Sequence, residues 1–170
     1  MRSTLVLLLF SSAAVVCAGV PETVDPAQIP AYKVIAPGVV AAGQPAPEVL
    51  PKLGEMGFRT VLNLRTPDEG GPDERAVVEG QGLRYVAVPL TAASLSLADV
   101  LAIEKVLDDP GAGPVLFHCA YSNRVGAAWA IVQARRGKSL EDALAAGREA
   151  GLKSATIEDA VRRLVVPKTP

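Results

Sequence analysis

Val115-Leu116-Phe117-His118-Cys119-Ala120-Tyr121-Ser122-Asn123-Arg124-Val125 is the stretch on which the reading of this chain turns. Val115 to Phe117 is an apolar run of the kind a buried strand makes. Val125 to Arg136 is apolar on most sides, as a helix enclosed by its own protein must be. Between them lies a short loop. A strand, a tight loop and a helix N-terminus gather backbone N–H groups and the positive end of a helix dipole around one point, which is a site for an anion. A cysteine in that field and beside a cation can fall from a pKa near 8.5 into the range of roughly 3.5 to 7.5. Cys119 is therefore the candidate nucleophile. Arg124 supplies a planar fork able to take two oxygens of a phosphate or sulfate. The loop residues Ala120, Tyr121, Ser122 and Asn123 are read with Arg124 as the substrate-binding set. Successive residues leaving a strand point to opposite sides, so His118 is not the base for its own neighbour. It is assigned a supporting catalytic role, hydrogen-bonding the loop backbone and helping keep the thiolate charged.

Outward from this loop, short apolar runs alternate with helical stretches. Strands are expected at Val39 to Ala42, Arg59 to Leu64, Leu83 to Pro89 and Val115 to Phe117. Helices are expected at Pro47 to Met56, at Asp73 to Gln81, and at Leu97 to Leu107 with Ser96 as its N-cap. Three more follow: Val125 to Arg136, one beginning at Ser139, and a last one from Thr156 to about Val166. The alternation predicts an α/β fold, a mainly parallel central sheet flanked by helices on both faces. Ligands of such sheets bind beyond the carboxyl ends of the strands, where His118 and Cys119 stand.

Composition narrows the function. Lys and Arg number 17 against 18 Asp and Glu, so no basic face for nucleic acid is expected. A structural zinc site needs about four His or Cys ligands, whereas the chain has one histidine and two cysteines; no metal and no cofactor are expected. Met1-Arg2, the apolar run Leu5 to Val16 and the small residues at Val16-Cys17-Ala18 read as a secretory signal peptide over 1–18. Cleavage after Ala18 leaves Cys119 without a disulfide partner in the chain. Acylation of Cys17 as a lipoprotein is the rival reading, which Val16 disfavours. No later stretch approaches the roughly 20 apolar residues of a membrane span, so an exported, periplasmic or secreted protein without stable membrane insertion is expected. The organisation read is a signal peptide over 1–18, a Pro-rich linker over 19–30, one domain over 31–166 and a tail over 167–170.

His118-Cys119, four residues, then Arg124 after an apolar strand resembles the signature loop of tyrosine and dual-specificity cysteine phosphatases. Ala42-Gly43-Gln44-Pro45, together with Gly57 to Arg65, narrows the resemblance to the beta-lactamase-hydrolase-like, phosphatase-like family, over about Tyr32 to Gly151. The resemblance implies a dual-specificity-phosphatase-like fold and phosphomonoester hydrolysis through a cysteinyl-phosphate. Its substrates would be a phosphorylated protein or a small phosphoester. The chain departs from that pattern in four places. The loop is one residue shorter than in the wider superfamily, Ser122 stands where the branch tends to have Gly, and Val125 stands where many members have Ser or Thr. Leu90-Thr91-Ala92-Ala93-Ser94 lacks the Asp that acts as general acid in related phosphatases.

Loss of a general acid costs roughly 10²- to 10⁴-fold in rate. Asp68, Glu69, Asp73 and Glu74, in the loop Thr66 to Glu74 with its Gly70-Gly71-Pro72 segment, are the substitutes within reach. Asp68 and Asp73 are accordingly possible site residues, as is Arg65 at the end of its strand. Two rivals share the residues: a rhodanese-like sulfurtransferase carrying a persulfide on Cys119, and a module that binds phosphate or another oxyanion with weak or no turnover. Trp129 is assigned to the core, and Arg135-Arg136-Gly137-Lys138 to a solvated helix end.

Overall fold

The structure is a computed structural model that describes residues 19–71 and 73–165. The expected signal peptide over 1–18 and tail over 167–170 lie outside the described residues. Five strands form one sheet: β1 (Lys33–Ala36), β2 (Val39–Ala42), β3 (Thr60–Asn63), β4 (Arg84–Ala87) and β5 (Val115–His118). Their order across the sheet is β1-β2-β5-β3-β4. All neighbours are parallel except β1 and β2. The three inner strands are buried along their whole length, which is why they read as continuous apolar runs. At their carboxyl ends Ala42, His118 and Asn63 stand side by side in register.

Among the described residues there are five α-helices, α1 (Glu74–Glu79), α2 (Leu97–Leu107), α3 (Asn123–Arg135), α4 (Leu140–Glu149) and α5 (Ala155–Val165). Helix α2 begins as expected: Ser96 Oγ accepts from the Asp99 N–H, and the Asp99 carboxylate accepts from the Ser96 N–H at 2.9 Å. This reciprocal cap satisfies two donors that the helix itself cannot. Because side chains alternate along a strand, Phe117 and Cys119 face α2 to α5, in one apolar cluster with Ile103, Val125 and Trp129. Leu116 faces the second cluster, with Leu50, Leu53, Phe58 and Val78 of α1. Helices therefore cover both faces.

Helices α3 and α4 bring their backbones together at Gly126 and Gly147. A Cβ on Gly126 would lie 2.5 Å from the Gly147 carbonyl oxygen, and one on Gly147 would lie 2.7 Å from that of Gly126. The contact anchors α3, whose N-terminus carries the Cys119 loop.

Two expectations are corrected and one strand is added. Pro47 to Met56 is not a helix but a set of turns around one 3-10 turn at Leu50–Lys52. Pro51 has no N–H to donate and its ring crowds the preceding turn. Strand β1 escaped the sequence reading because only four residues, flanked by Tyr32 and the Pro37-Gly38 turn, carry it at an exposed edge. The stretch 19–30, expected to be a tether, holds no strand or helix but packs on the domain. Ile29 is fully buried, Tyr32 Oη donates to the Pro21 carbonyl at 2.6 Å, and the Ala46 N–H donates to that of Gln28 at 2.8 Å.

Candidate active site

Cys119 follows the last residue of β5 and lies 1% exposed at a cavity of about 370 Å³ that Thr66, Glu69, Thr91, Ala92, Tyr121 and Arg124 also line. The loop that carries it turns into α3 through Ser122, which adopts the left-handed conformation (φ 64°). That conformation costs a non-glycine residue about 1 kcal/mol or more. The buried Ser122 hydroxyl offsets it by donating to the Ala150 carbonyl at 2.7 Å. The backbone N–H groups of Ala120, Tyr121, Asn123 and Arg124 meet no acceptor among the described residues. Four such donors beside a helix N-terminus are free for an anion.

Gly43 and Gln44 hold the outer side of the loop. The Gln44 N–H donates to the Ala120 carbonyl at 3.1 Å, and Gly43 bridges to Tyr121. A Cβ on Gly43 would stand 3.0 Å from that same Ala120 oxygen, so glycine permits the close approach.

Arg124 is held from the opposite side. Its Nη1 and Nη2 each donate at 2.6 Å to a carboxylate oxygen of Glu69. Nη1 also reaches the Leu90 carbonyl at 3.0 Å and that of Leu64 at 3.3 Å. These bonds use the outer edge of the fork; the Nε–H takes no partner among the described residues and remains for an oxyanion. The Arg124 guanidinium pulls the Glu69 carboxyl down to about 2. Glu69 in turn raises Arg124 above its ordinary value, against partial burial and with the Cys119 sulfur adding to the rise. At neutral pH Glu69 is thus a committed carboxylate with no proton to give.

Behind the loop, a second carboxylate gathers side chains from three strands and from the segments that follow β2 and β3. Glu74, the first residue of α1, is 4% exposed. It accepts from Asn63 Nδ2 at 2.7 Å, from Tyr85 Oη at 3.3 Å and from Gln44 Nε2. Arg65 Nη1 lies 4.0 Å away. His118 is fully buried, with Nε2 3.4 Å from Glu74 Oε2. Burial pushes the Glu74 carboxyl up, but His118, Gln44 and Arg65 outweigh it and leave it below the ordinary range. Neither ring nitrogen of His118 makes a hydrogen bond of good geometry among the described residues. The expected bond from His118 to the loop backbone is therefore corrected: its ring faces Glu74 on the side of the sheet away from Cys119.

Arg65, Asp68 and Asp73 do not line the Cys119 cavity. Arg65 lines a neighbouring one of about 410 Å³ and approaches the site through Glu69, 3.7 Å from its Nε, while Gln44 Oε1 accepts from Nη1 at 2.6 Å. Asp73 caps α1 by accepting from the Ala76 N–H at 3.3 Å, and Asp68 belongs to the exposed 3-10 turn Pro67–Glu69. The Asn123 side chain accepts from the N–H groups of Lys153 and Ser154 at 2.7 and 2.9 Å, so its amide fixes the start of α5. Tyr121 is 78% exposed at the rim. Trp129 is buried, with Arg136 over its ring. Gln44, Asn63 and Tyr85 escaped the sequence reading as site residues. A polar Asn63 inside the apolar run Val61 to Leu64 was the one signal. Among the described residues, no group of three or more His, Cys, Asp or Glu is placed to hold a metal, and no helix is long and apolar enough to cross a membrane.

Residues 31–136 match the family model described as beta-lactamase hydrolase-like protein, phosphatase-like domain. Two relatives named beta-lactamase hydrolase-like protein are similar in sequence. That of Agrobacterium fabrum is 26% identical over 102 residues, covering 57% of this chain and 23% of the relative. That of Xylella fastidiosa is 29% identical over 106 residues, covering 59% and 24%. The chain thus spans about a quarter of the length of the curated relatives it matches. Among solved structures, P. aeruginosa TpbA, crystallised as a cysteine-to-serine variant with phosphotyrosine, superposes with a TM-score of 0.65 at 22% identity, covering 85% of this chain and 87% of that one. The catalytic core of the PP-IP phosphatase SIW14 from S. cerevisiae, with citrate, gives 0.65 at 16% identity, covering 78% and 83%. Both likenesses establish the fold, a dual-specificity-phosphatase-like one.

Proposed function

The chain belongs to the beta-lactamase hydrolase-like protein, phosphatase-like domain family, and on that footing we propose that it is an exported cysteine-dependent phosphatase acting on phosphomonoesters. The observation that carries the reading is one loop in which a buried thiol, the unpartnered amides of Ala120, Tyr121, Asn123 and Arg124, and an oriented guanidinium share a cavity. The Cys119 thiolate attacks phosphorus, the bond to the leaving oxygen breaks, and that oxygen departs with its electron pair. Loop amides and the free edge of Arg124 hold the three equatorial oxygens, where charge is spread in the transition state. Water then attacks the cysteinyl-phosphate, the S–P bond breaks and the thiolate returns, releasing inorganic phosphate and a proton. Glu69 serves by holding Arg124 in this orientation. Among the described residues that line the cavity there is no lysine, and Tyr121 is the aromatic one. An aryl phosphate such as the phosphotyrosine held by TpbA, in an exported protein or a small phosphoester, suits it. The positive start and apolar run of the sequence over 1–18, which read as a signal peptide, support the exported location.

Hydrolysis of p-nitrophenyl phosphate and of phosphotyrosine peptides tests the reading. Activity is expected in the parent chain, none in Cys119→Ser, and neither activity nor phosphate binding in Arg124→Ala. Sulfur transfer from thiosulfate to cyanide without phosphate release overturns it in favour of a sulfurtransferase. Phosphate binding by Cys119→Ser with an inert parent chain overturns it in favour of a binding module.

A further inference from the structure

Glu74 is a costly group to bury. A carboxylate taken out of water must be paired and hydrogen-bonded, and this one is surrounded by side chains whose other neighbours are the catalytic elements. Gln44 follows β2 and its backbone holds the Cys119 loop. Asn63 ends β3 in register with His118. Arg65 touches Glu69, the partner of Arg124. Tyr85 comes from β4, with Arg75 of α1 over its ring. His118 immediately precedes the nucleophile. The titratable or charged groups facing Glu74 are thus Arg65, Tyr85 and His118.

Neither ring nitrogen of His118 makes a hydrogen bond of good geometry among the described residues, and which nitrogen of an imidazole carries a proton is set by the partner the ring faces. The nitrogen 3.4 Å from a carboxylate oxygen is Nε2. We propose that Glu74 is a positioning residue for the reaction: its carboxylate keeps a proton on His118 Nε2 and fixes the ring beneath the loop that carries Cys119. This rests on Cys119 being the working nucleophile, and it adds a residue that acts through another. The supporting partner sits 44 positions before the histidine it orients, on a helix of six residues whose register is set by the Asp73 cap.

The test uses the full chain with Cys17→Ser, which leaves Cys119 as its single thiol, and exploits the presence of one histidine in the sequence. In a ¹⁵N-histidine sample, the two-bond nitrogen–proton correlations of the imidazole report directly which nitrogen holds the proton. Iodoacetamide alkylation of Cys119 reports the nucleophile without requiring turnover. The parent is expected to show a proton on Nε2. Glu74→Leu is expected to redistribute it toward Nδ1 and to slow alkylation at pH 7 about tenfold, the scale of one lost bond to a charged group. Glu74→Gln keeps an acceptor oxygen and is expected to retain the Nε2 proton and most of the rate. A parent ring protonated on Nδ1 alone overturns the proposal, even if Glu74→Leu does not fold. A folded Glu74→Leu with an unchanged ring pattern overturns it too, whatever its rate. Normal alkylation and ring pattern with no phosphoester turnover would sink the phosphatase reading and leave this one standing.

Discussion

The carboxylate of Glu69 closes on the guanidinium of Arg124 through two hydrogen bonds of 2.6 Å. A bidentate pair of this kind fixes orientation as well as charge, so the arginine presents one edge to the cavity before any ligand arrives. Pre-oriented donors need not reorganise as charge develops.

Glu69→Gln should therefore weaken catalysis without removing it. The fork loses its charged partner and keeps the Leu64 and Leu90 carbonyls. The pair is partly solvated, so a loss of about 1 kcal/mol is expected, or about fivefold in kcat/KM. Steady-state kinetics on p-nitrophenyl phosphate check this, and an unchanged kcat/KM would mean that Arg124 orients itself.

The same pair makes stability depend on pH. The Glu69 pKa is lowered in the folded state to about 2, so the stabilisation is fully present above its unfolded value. It fades as pH falls toward about 2. Urea unfolding of the parent and of Glu69→Gln should differ by about 1 kcal/mol at pH 7 and converge near pH 2. A difference that persists at pH 2 would assign the effect to packing.

Glu69 has no proton to donate, and Asp68 and Asp73 lie away from the Cys119 cavity. Departure of the leaving group should then depend steeply on its own acidity. Across substituted phenyl phosphates, kcat/KM should fall as the phenol becomes less acidic, with alkyl phosphates slower by roughly 10²-fold or more, the usual contribution of a general acid. A flat series would reveal a proton donor.

Ser122 combines an unfavourable backbone angle with a favourable buried bond. Ser122→Ala keeps the angle and leaves the Ala150 carbonyl unpaired, so it should destabilise by about 1 to 2 kcal/mol. Ser122→Gly relieves the angle, which offsets most of that loss. Thermal denaturation should rank the alanine variant below the glycine variant, and the reverse order would remove strain from the account.

Gly126→Ala places a methyl group 2.4 Å from the Leu152 nitrogen. Helix α3 must then move from α4, at about 1 to 3 kcal/mol. Because α3 begins at the Cys119 loop, activity should fall further than the stability loss requires, which kinetics well below the melting temperature would show.

Local chemistry made much of this legible in the chain. The Val115 to Phe117 strand, the Cys119 loop and the Ser96 cap depend on residues close in sequence, and the apolar runs are buried where their continuity says they should be. Pro47 and Gly57 mark helix ends in the sequence, but Pro51 between them has no N–H to donate and admits only a 3-10 turn. Strand β1 is short and exposed, so it lacks the alternation that marks a half-buried strand. Glu69 was visible as a carboxylate in the right loop, yet spacing does not reveal that it meets Arg124, 55 residues on. Glu74 was visible in the same loop, and its place beside His118 was hidden for the same reason: which polar residues converge is decided by strand order, and β3 and β5 are neighbours only because the chain crosses over between them.

Glu69 and Glu74 hang from a single span, one on the arginine that ends the Cys119 loop and the other beside the histidine that precedes it. Surface connections usually tolerate added residues at little cost. Here both ends of the span are tied to the Cys119 loop. A residue added between the two carboxylates should disturb the Arg124 contact, the His118 contact or both, so this connection should tolerate insertion less well than an ordinary surface loop.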